Sequence, residues 1–254
     1  MERRFFLKAL GVGCIGCCCK PLDACAAIGQ KTYSTSRLLK DYDMTLEWRR
    51  ALYLKIPALA GDIDQVLGEM RDSYEALIPD ICYIGKRNFH LQWAIPNAEK
   101  LADYLVAKEY GVTIPEFSRL HLDQAFSDLM AKYPTEAERR QIGSMQFGPL
   151  SDMMMRFVAW RSQLQIYPED YILKFVPGDG VDFDWGLDYT QCPNVILFSR
   201  HGAADLVYPL VCTMDYVAGK ALYVGYHRTM DLATGGPMCD LRWKKGVESV
   251  IPEI

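Results

Sequence analysis

The chain has 254 residues, half of them apolar and a quarter charged, with a formal net charge of −4. That composition is globular; without a broad basic field, nucleic acid is excluded as an expected partner. No stretch after residue 27 is long and apolar enough to predict a transmembrane span, and the length suits one large domain or two small ones.

The N-terminus differs in kind from the rest. Glu2-Arg3-Arg4-Phe5-Phe6-Leu7-Lys8 follows the R-R-x-F-L-K pattern read by the twin-arginine translocase. A short, weakly apolar run from Ala9 to Cys19 follows, then Ala24-Cys25-Ala26-Ala27. This order predicts a cleavable export signal over 1–27, the translocase as a transient partner and the periplasm as destination. Cleavage after Ala26 would release a soluble protein, whereas Leu22-Asp23-Ala24-Cys25 looks like a lipobox that would anchor the chain through an acylated Cys25. Cys14, Cys17, Cys18 and Cys19 fall within the segment to be removed, which leaves Cys82, Cys192, Cys212 and Cys239. In an oxidising compartment four cysteines allow three full pairings.

Residues 28–36 read as a tether and 37–254 as one domain. Helical spacing runs to about residue 165. Ile63, Val66, Leu67 and Met70 mark one helix, begun at Gly61-Asp62. Leu101, Tyr104, Leu105 and Lys108 mark another, opened by Pro96 and closed by Gly111. Leu120 to Lys132 and Leu150 to Leu164 are two more, with Met153-Met154-Met155 expected in the core. After Pro168 the pattern changes. Tyr171–Val176 and Val181–Thr190 predict a hairpin around Pro177-Gly178-Asp179-Gly180. A helical stretch from Pro193 to Leu222, broken near Gly202, leads to a second hairpin, Tyr223–Leu232 and Met238–Lys244. Helices followed by ββ-αα-ββ predict an α+β fold with an antiparallel sheet packed against helices.

Chemistry concentrates in the last third. At 100° per residue, Val207, Leu210, Val211, Met214, Val217, Ala218 and Ala221 form a core stripe. Pro209, Thr213, Tyr216 and Lys220 lie opposite, toward solvent. Tyr208, Cys212, Asp215 and Gly219 form a boundary line where a pocket wall could stand, Gly219 leaving room beside a thiol and a carboxylate. Cys212 as a small core residue and Asp215 as a solvated or lysine-paired carboxylate are the plainer alternative. On the final hairpin, alternation puts Tyr226, Arg228 and Met230 on one face, and separates Asp240 and Arg242 from Cys239, Leu241 and Trp243. No H-E-x-x-H, mature C-x-x-C, G-x-S-x-G, Walker or Rossmann pattern is present. No cofactor is expected.

Taken in order, Asp182-Phe183-Asp184-Trp185, Tyr189-Thr190-Gln191-Cys192, His201-Gly202-Ala203, Cys212-Thr213-Met214-Asp215, Arg228-Thr229 and Gly235-Gly236-Pro237-Met238-Cys239-Asp240-Leu241-Arg242 resemble the L-2-amino-thiazoline-4-carboxylic acid hydrolase family. The resemblance covers about residues 165 to 245; Leu241 stands where the family pattern has Phe, and the helical half agrees only in general character. It implies hydrolysis of a cyclic isothiourea-like carboxylate to N-carbamoyl-L-cysteine. Such a reaction asks for a nucleophile, an acid–base group and a cation for the carboxylate. The resemblance then implies Cys212 or Cys239 as nucleophile, Asp215 or Asp240 as acid–base, and Arg228 as anchor. Thr229, Cys192, Tyr208 and Arg242 would line the substrate site. A Cys212–Cys239 disulfide would instead leave the aspartates to activate water. Two other classes compete: an exported binding or sensory module that holds a small carboxylate without turnover, and a metal-dependent hydrolase using the cysteines and His201.

Overall fold

The computed structural model describes residues 31–253. The twin-arginine pattern, the lipobox and the first cysteine cluster therefore lie outside the described residues. From Thr32 onward the chain forms one compact unit.

The helical half contains α1 (Thr35–Asp43), α2 (Leu46–Tyr53), α3 (Ile63–Leu77), α4 (Leu91–Ala107), α5 (Ile114–Lys132), α6 (Glu136–Ser144) and α7 (Pro149–Ser162). α1 takes the end of the stretch expected to be a tether. Pro96 lies inside α4 rather than at its start. α5 begins six residues earlier than expected, because Thr113 accepts the Glu116 N–H as a cap and Pro115 suits the first turn. α6 opens with a capping box, Thr135 and Glu138 satisfying each other's backbone N–H.

Leu38, Tyr42, Leu52, Tyr53, Val66, Met70, Tyr74, Leu101 and Phe117 interlock in the main core. Its centre is polar. Asp103, with no exposed surface, accepts from Tyr42 and from Tyr53 at 2.6 Å each and pairs with Arg49. Arg49 also reaches Glu99 at 2.6 Å and lies 3.9 Å from the centre of the Tyr42 ring. The tyrosine hydroxyls and the guanidinium satisfy a carboxylate that would otherwise be very costly to bury.

The second half supplies β1 (Ile172–Pro177), β2 (Trp185–Gln191), α8 (Pro193–Arg200), α9 (Met214–Leu222), β3 (Val224–His227) and β4 (Cys239–Lys245). The strands form one antiparallel sheet in the order β1-β2-β4-β3. Each hairpin is local, and β2–β4 pairing joins them. Register places Tyr189 opposite Cys239, Leu187 opposite Leu241, and Trp185 and Tyr226 both opposite Trp243. Directly opposed residues share a face, so these side chains form the surface that meets the helices. The architecture is α+β, with a helical N-terminal half.

Two expectations about side chains fail. Of Met153-Met154-Met155 only Met155 is buried; the other two are exposed. Thr213 and Tyr216, expected toward solvent, are buried. The cause of the second is a π-helical turn over Val207–Cys212. The Thr213 N–H and hydroxyl both donate to the Tyr208 carbonyl, at 3.1 and 3.0 Å, closing a wider turn that shifts the helical phase.

Candidate active site

Strands β2, β3 and β4 converge at one end of the sheet with the π turn and α9. β2 leads through Tyr189 to Cys192, which caps α8 ahead of Pro193. The π turn ends at Cys212, and the first turn of α9 carries Asp215. β4 starts at Cys239, and β3 runs out through Tyr226 to Arg228. These groups are close enough to alter one another's ionisation. Cys212 is influenced by Arg228, Cys192 and Cys239, Tyr189 by Asp215, Cys192 and Cys239, and Asp215 by Arg228 and Tyr226. Of the six stretches named in the sequence motifs four are thus brought together: the one ending in Cys192, the C-x-x-D segment, the one with Arg228 and the one with Cys239.

Asp215 combines two properties rarely found together. Its residue surface is open to solvent, yet burial pushes its carboxyl up to about 6, with Arg228 and Tyr226 opposing. A carboxyl poised near 6 can take and return a proton at neutral pH.

Arg228 is the second unusual group. Its Nε and Nη2 atoms are buried and have no hydrogen-bond partner, and neither does the hydroxyl of Tyr226 beside it. The guanidinium carbon lies 5.0 Å from the centre of the Tyr208 ring. Burial opposes its charge, but Tyr226, Cys212 and Asp215 outweigh that and hold the pKa above the usual arginine range. Leaving two guanidinium donors unsatisfied costs on the order of 1–3 kcal/mol or more. The fold thus leaves two donors of this half-buried guanidinium without a hydrogen bond, among Cys212, Asp215, Tyr216 and Tyr226.

The thiols are not poised as nucleophiles. Burial raises Cys212, against the pull of Arg228. Cys192 is pushed up to about 11 by burial although it caps a helix, whose Val195 and Asn194 N–H groups favour the thiolate. Burial likewise raises Cys239, which accepts the Leu232 N–H at 3.3 Å. Among the described residues all four cysteines are free, so Cys212 and Cys239 are not joined in a disulfide. Cys82 lies apart from the three, its thiol donating to the Pro193 carbonyl at 3.6 Å in the main core.

Three further residues singled out by sequence lie elsewhere. Asp240 points to the outer face of the sheet, where it accepts from the Thr229 N–H and hydroxyl at 2.8 and 2.6 Å and from the Met230 N–H at 2.9 Å. Burial would raise its pKa, but these donors outweigh burial and hold it below the ordinary value. Its oxygens are consumed in fastening the segment that carries Arg228. Thr229 serves that clamp, and Arg242 pairs with Asp188 at 2.8 Å on the same outer face. Nor does Gly219 leave a void. A Cβ there would meet the Ser249 hydroxyl at 2.2 Å and the Val224 carbonyl at 2.4 Å. Ser249 fills that space, donating to Val224 O and accepting from Tyr226 N.

His90, which no motif marked, belongs with the site beside Tyr189, which opens the stretch ending in Cys192. His90 Nε2 and the Tyr189 hydroxyl are 3.1 Å apart, and His90 stacks on Tyr171 at 4.2 Å. Burial lowers His90 to about 3, with Arg161 adding to the effect, so the ring is neutral. The two residues are ninety-nine positions apart, beyond any local pattern; only the alternation that puts Tyr189 on the inner face was readable. His201 Nε2 lies 3.3 Å from an Asp80 carboxylate oxygen, without a hydrogen bond. Among the described residues no three His, Cys, Asp or Glu side chains are arranged to hold a metal ion. A separate cleft of about 490 Å³ between α5, α9 and the C-terminal residues is lined by Arg119, Phe126, Val217, Lys220 and Ile251, among others. It contains none of the candidate groups.

The chain matches no protein-family model, no curated protein and no solved structure.

Proposed function

We propose that the protein is a hydrolase of small cyclic carboxylates, of the kind implied by the resemblance to L-2-amino-thiazoline-4-carboxylic acid hydrolases. The two buried, unsatisfied donors of Arg228 beside the carboxyl of Asp215, which burial raises to about 6, carry this reading. A substrate carboxylate would satisfy the free Nε and Nη2 donors in the planar geometry that suits arginine. Asp215 would then stand beside the reacting ring as general base.

The chemistry follows from those roles. Asp215 takes a proton from water as the oxygen bonds to the ring carbon between nitrogen and sulfur. The tetrahedral adduct collapses with cleavage of the carbon–sulfur bond; the proton held on Asp215 passes to the departing sulfur, the second proton of the water moves from the adduct's hydroxyl to the ring nitrogen as the carbonyl forms, and the carbon keeps both nitrogens as a carbamoyl group. Water is the only co-reactant. Because the surrounding thiols stay protonated, Cys212 and Cys239 serve as polarisable walls and weak donors rather than as nucleophiles. Asp240 acts through the loop it fastens.

Turnover of the thiazoline carboxylate, followed as thiol release, tests the proposal. Asp215→Asn should lower kcat by about 10²–10⁴, and Arg228→Met should chiefly raise KM. Cys212→Ser and Cys239→Ser should stay within about tenfold of the parent. A loss in either serine variant as large as that of Asp215→Asn would restore the covalent route. Tight binding without product would favour a binding module.

A further inference from the structure

The geometry points to a second copy of this chain as the partner of α7: we propose that the protein forms a two-fold homodimer through the outer face of that helix. An advance of 100° per residue places Leu150, Met153, Met154, Phe157 and Trp160 within about 120° of one another, and Leu164 continues the stripe one turn on. All are open to solvent, Leu150, Met153 and Trp160 at 59% and Phe157 at 48%. The opposite side of α7, with Met155 and Ala159, is buried against the sheet cluster. The helix therefore carries apolar residues on its uncovered side as well as on its covered one. A helix of that kind is made to be buried on both sides.

Area and charge select the occupant. Taking about 200 Å² for each fully exposed large side chain, the six residues present on the order of 600 Å², the upper end for a single patch on a monomer. Arg156, Arg161 and Gln163 extend the face toward the ~800 Å² per partner of a standard interface. The rim is mixed in sign, Arg156 pairing with Asp152 at 2.7 Å, while Arg161 lies within the arc and reaches the buried Asp170 at 3.8 Å. A polar rim of both signs around an apolar centre is the anatomy of a protein interface. An anionic lipid surface would call for a one-sign basic rim, and the chain carries a net charge of −4.

The stripe is also self-complementary. Its midpoint is Phe157, so an antiparallel crossing there sets Phe157 against its own copy and Leu150 against Leu164 of the other. Phe157 also lines, with Phe89, His90 and Arg161, a small recess that opens beside this face. Dimerisation would cover that recess.

Sedimentation equilibrium of the full chain from 1 to 100 µM tests the proposal, alongside Phe157→Glu, Trp160→Glu and Phe157→Cys. The expected result is a wild-type dimer, at least a 100-fold weaker association in each glutamate variant with an unchanged thermal midpoint for the isolated monomer, and, in Phe157→Cys, an oxidative cross-link through the introduced thiol that is absent from the parent. A wild type that stays monomeric at 100 µM overturns the proposal. So does a dimer that persists in both glutamate variants. Wild-type monomers that sediment with phosphatidylglycerol vesicles, while the variants do not, would assign the face to lipid instead.

Discussion

At the level of single residues, Asp215 makes the sharpest demand. Its folded pKa of about 6 lies above the ordinary value of 3.8, so the folded chain holds this proton more tightly than the unfolded chain. The stabilisation this group contributes is complete below about 3.8 and is lost as pH rises through about 6. Urea midpoints measured from pH 3.5 to 7 should therefore fall more steeply for the parent than for Asp215→Asn. The activity of the parent should rise over the same window with a midpoint near 6, because the base must be deprotonated. Gly219 is constrained in a different way. The carbonyl and hydroxyl that a Cβ would strike belong to β3 and Ser249, so Gly219→Ala should cost about 1–3 kcal/mol as overpacking, read as a lowered urea midpoint.

Among the elements, the β3–β4 connection shows how an outer face serves an inner one. Cys239 and Asp240 are neighbours on β4 pointing to opposite sides of the sheet. Asp240 binds two successive backbone N–H groups and one hydroxyl, fixing the chain directly after Arg228. Asp240→Ala should leave the core intact but let Arg228 wander, raising KM by about tenfold to a hundredfold with a smaller effect on kcat; a matched fall in kcat alone would argue against this positioning role. The same elements show what could be read in advance. Period-two alternation grouped Tyr226 with Arg228, and Cys239 with Trp243 apart from Asp240 and Arg242, because strand parity is a local property. The π turn was not readable. It depends on Thr213 bonding to the Tyr208 carbonyl five residues back, and it moved Thr213 and Tyr216 from the solvent side to the interior. The helix α6 is signalled by Thr135-Glu136-Ala137-Glu138 as a capping box, but its mostly polar composition offers too little periodicity to mark its length.

Across the whole molecule, the helical half is organised around a charge. Asp103 has no contact with water and depends on Arg49, Tyr42 and Tyr53 together. Asp103→Ala should destabilise the protein by about 3–5 kcal/mol, the range for removing one partner from a buried ion pair, whereas Tyr42→Phe should cost about 1 kcal/mol; denaturant titration separates the two. Nothing in the sequence announced this network. Its members come from three helices, and each taken singly reads as a surface charge or an ordinary core tyrosine. The order of helices and strands was legible because it rests on local periodicity and on turn residues. The pairing of His90 with Tyr189, the exposure of Met153 and the unsatisfied donors of Arg228 were not, because each depends on which distant segment comes to lie nearby.

The strand order carries a kinetic consequence. Each hairpin can zip from its own turn, but β2 meets β4 only after the intervening chain of α8, the π turn and α9 has closed into a loop, and closing such loops is slow. Cys192, Cys212 and Cys239 all sit at the rim of that closure. During refolding, then, these three sulfurs should lose reactivity toward an alkylating pulse in a single late step, after the hairpins have gained their amide protection, while Cys82 is shielded once α8 docks Pro193 and Arg200 over its thiol.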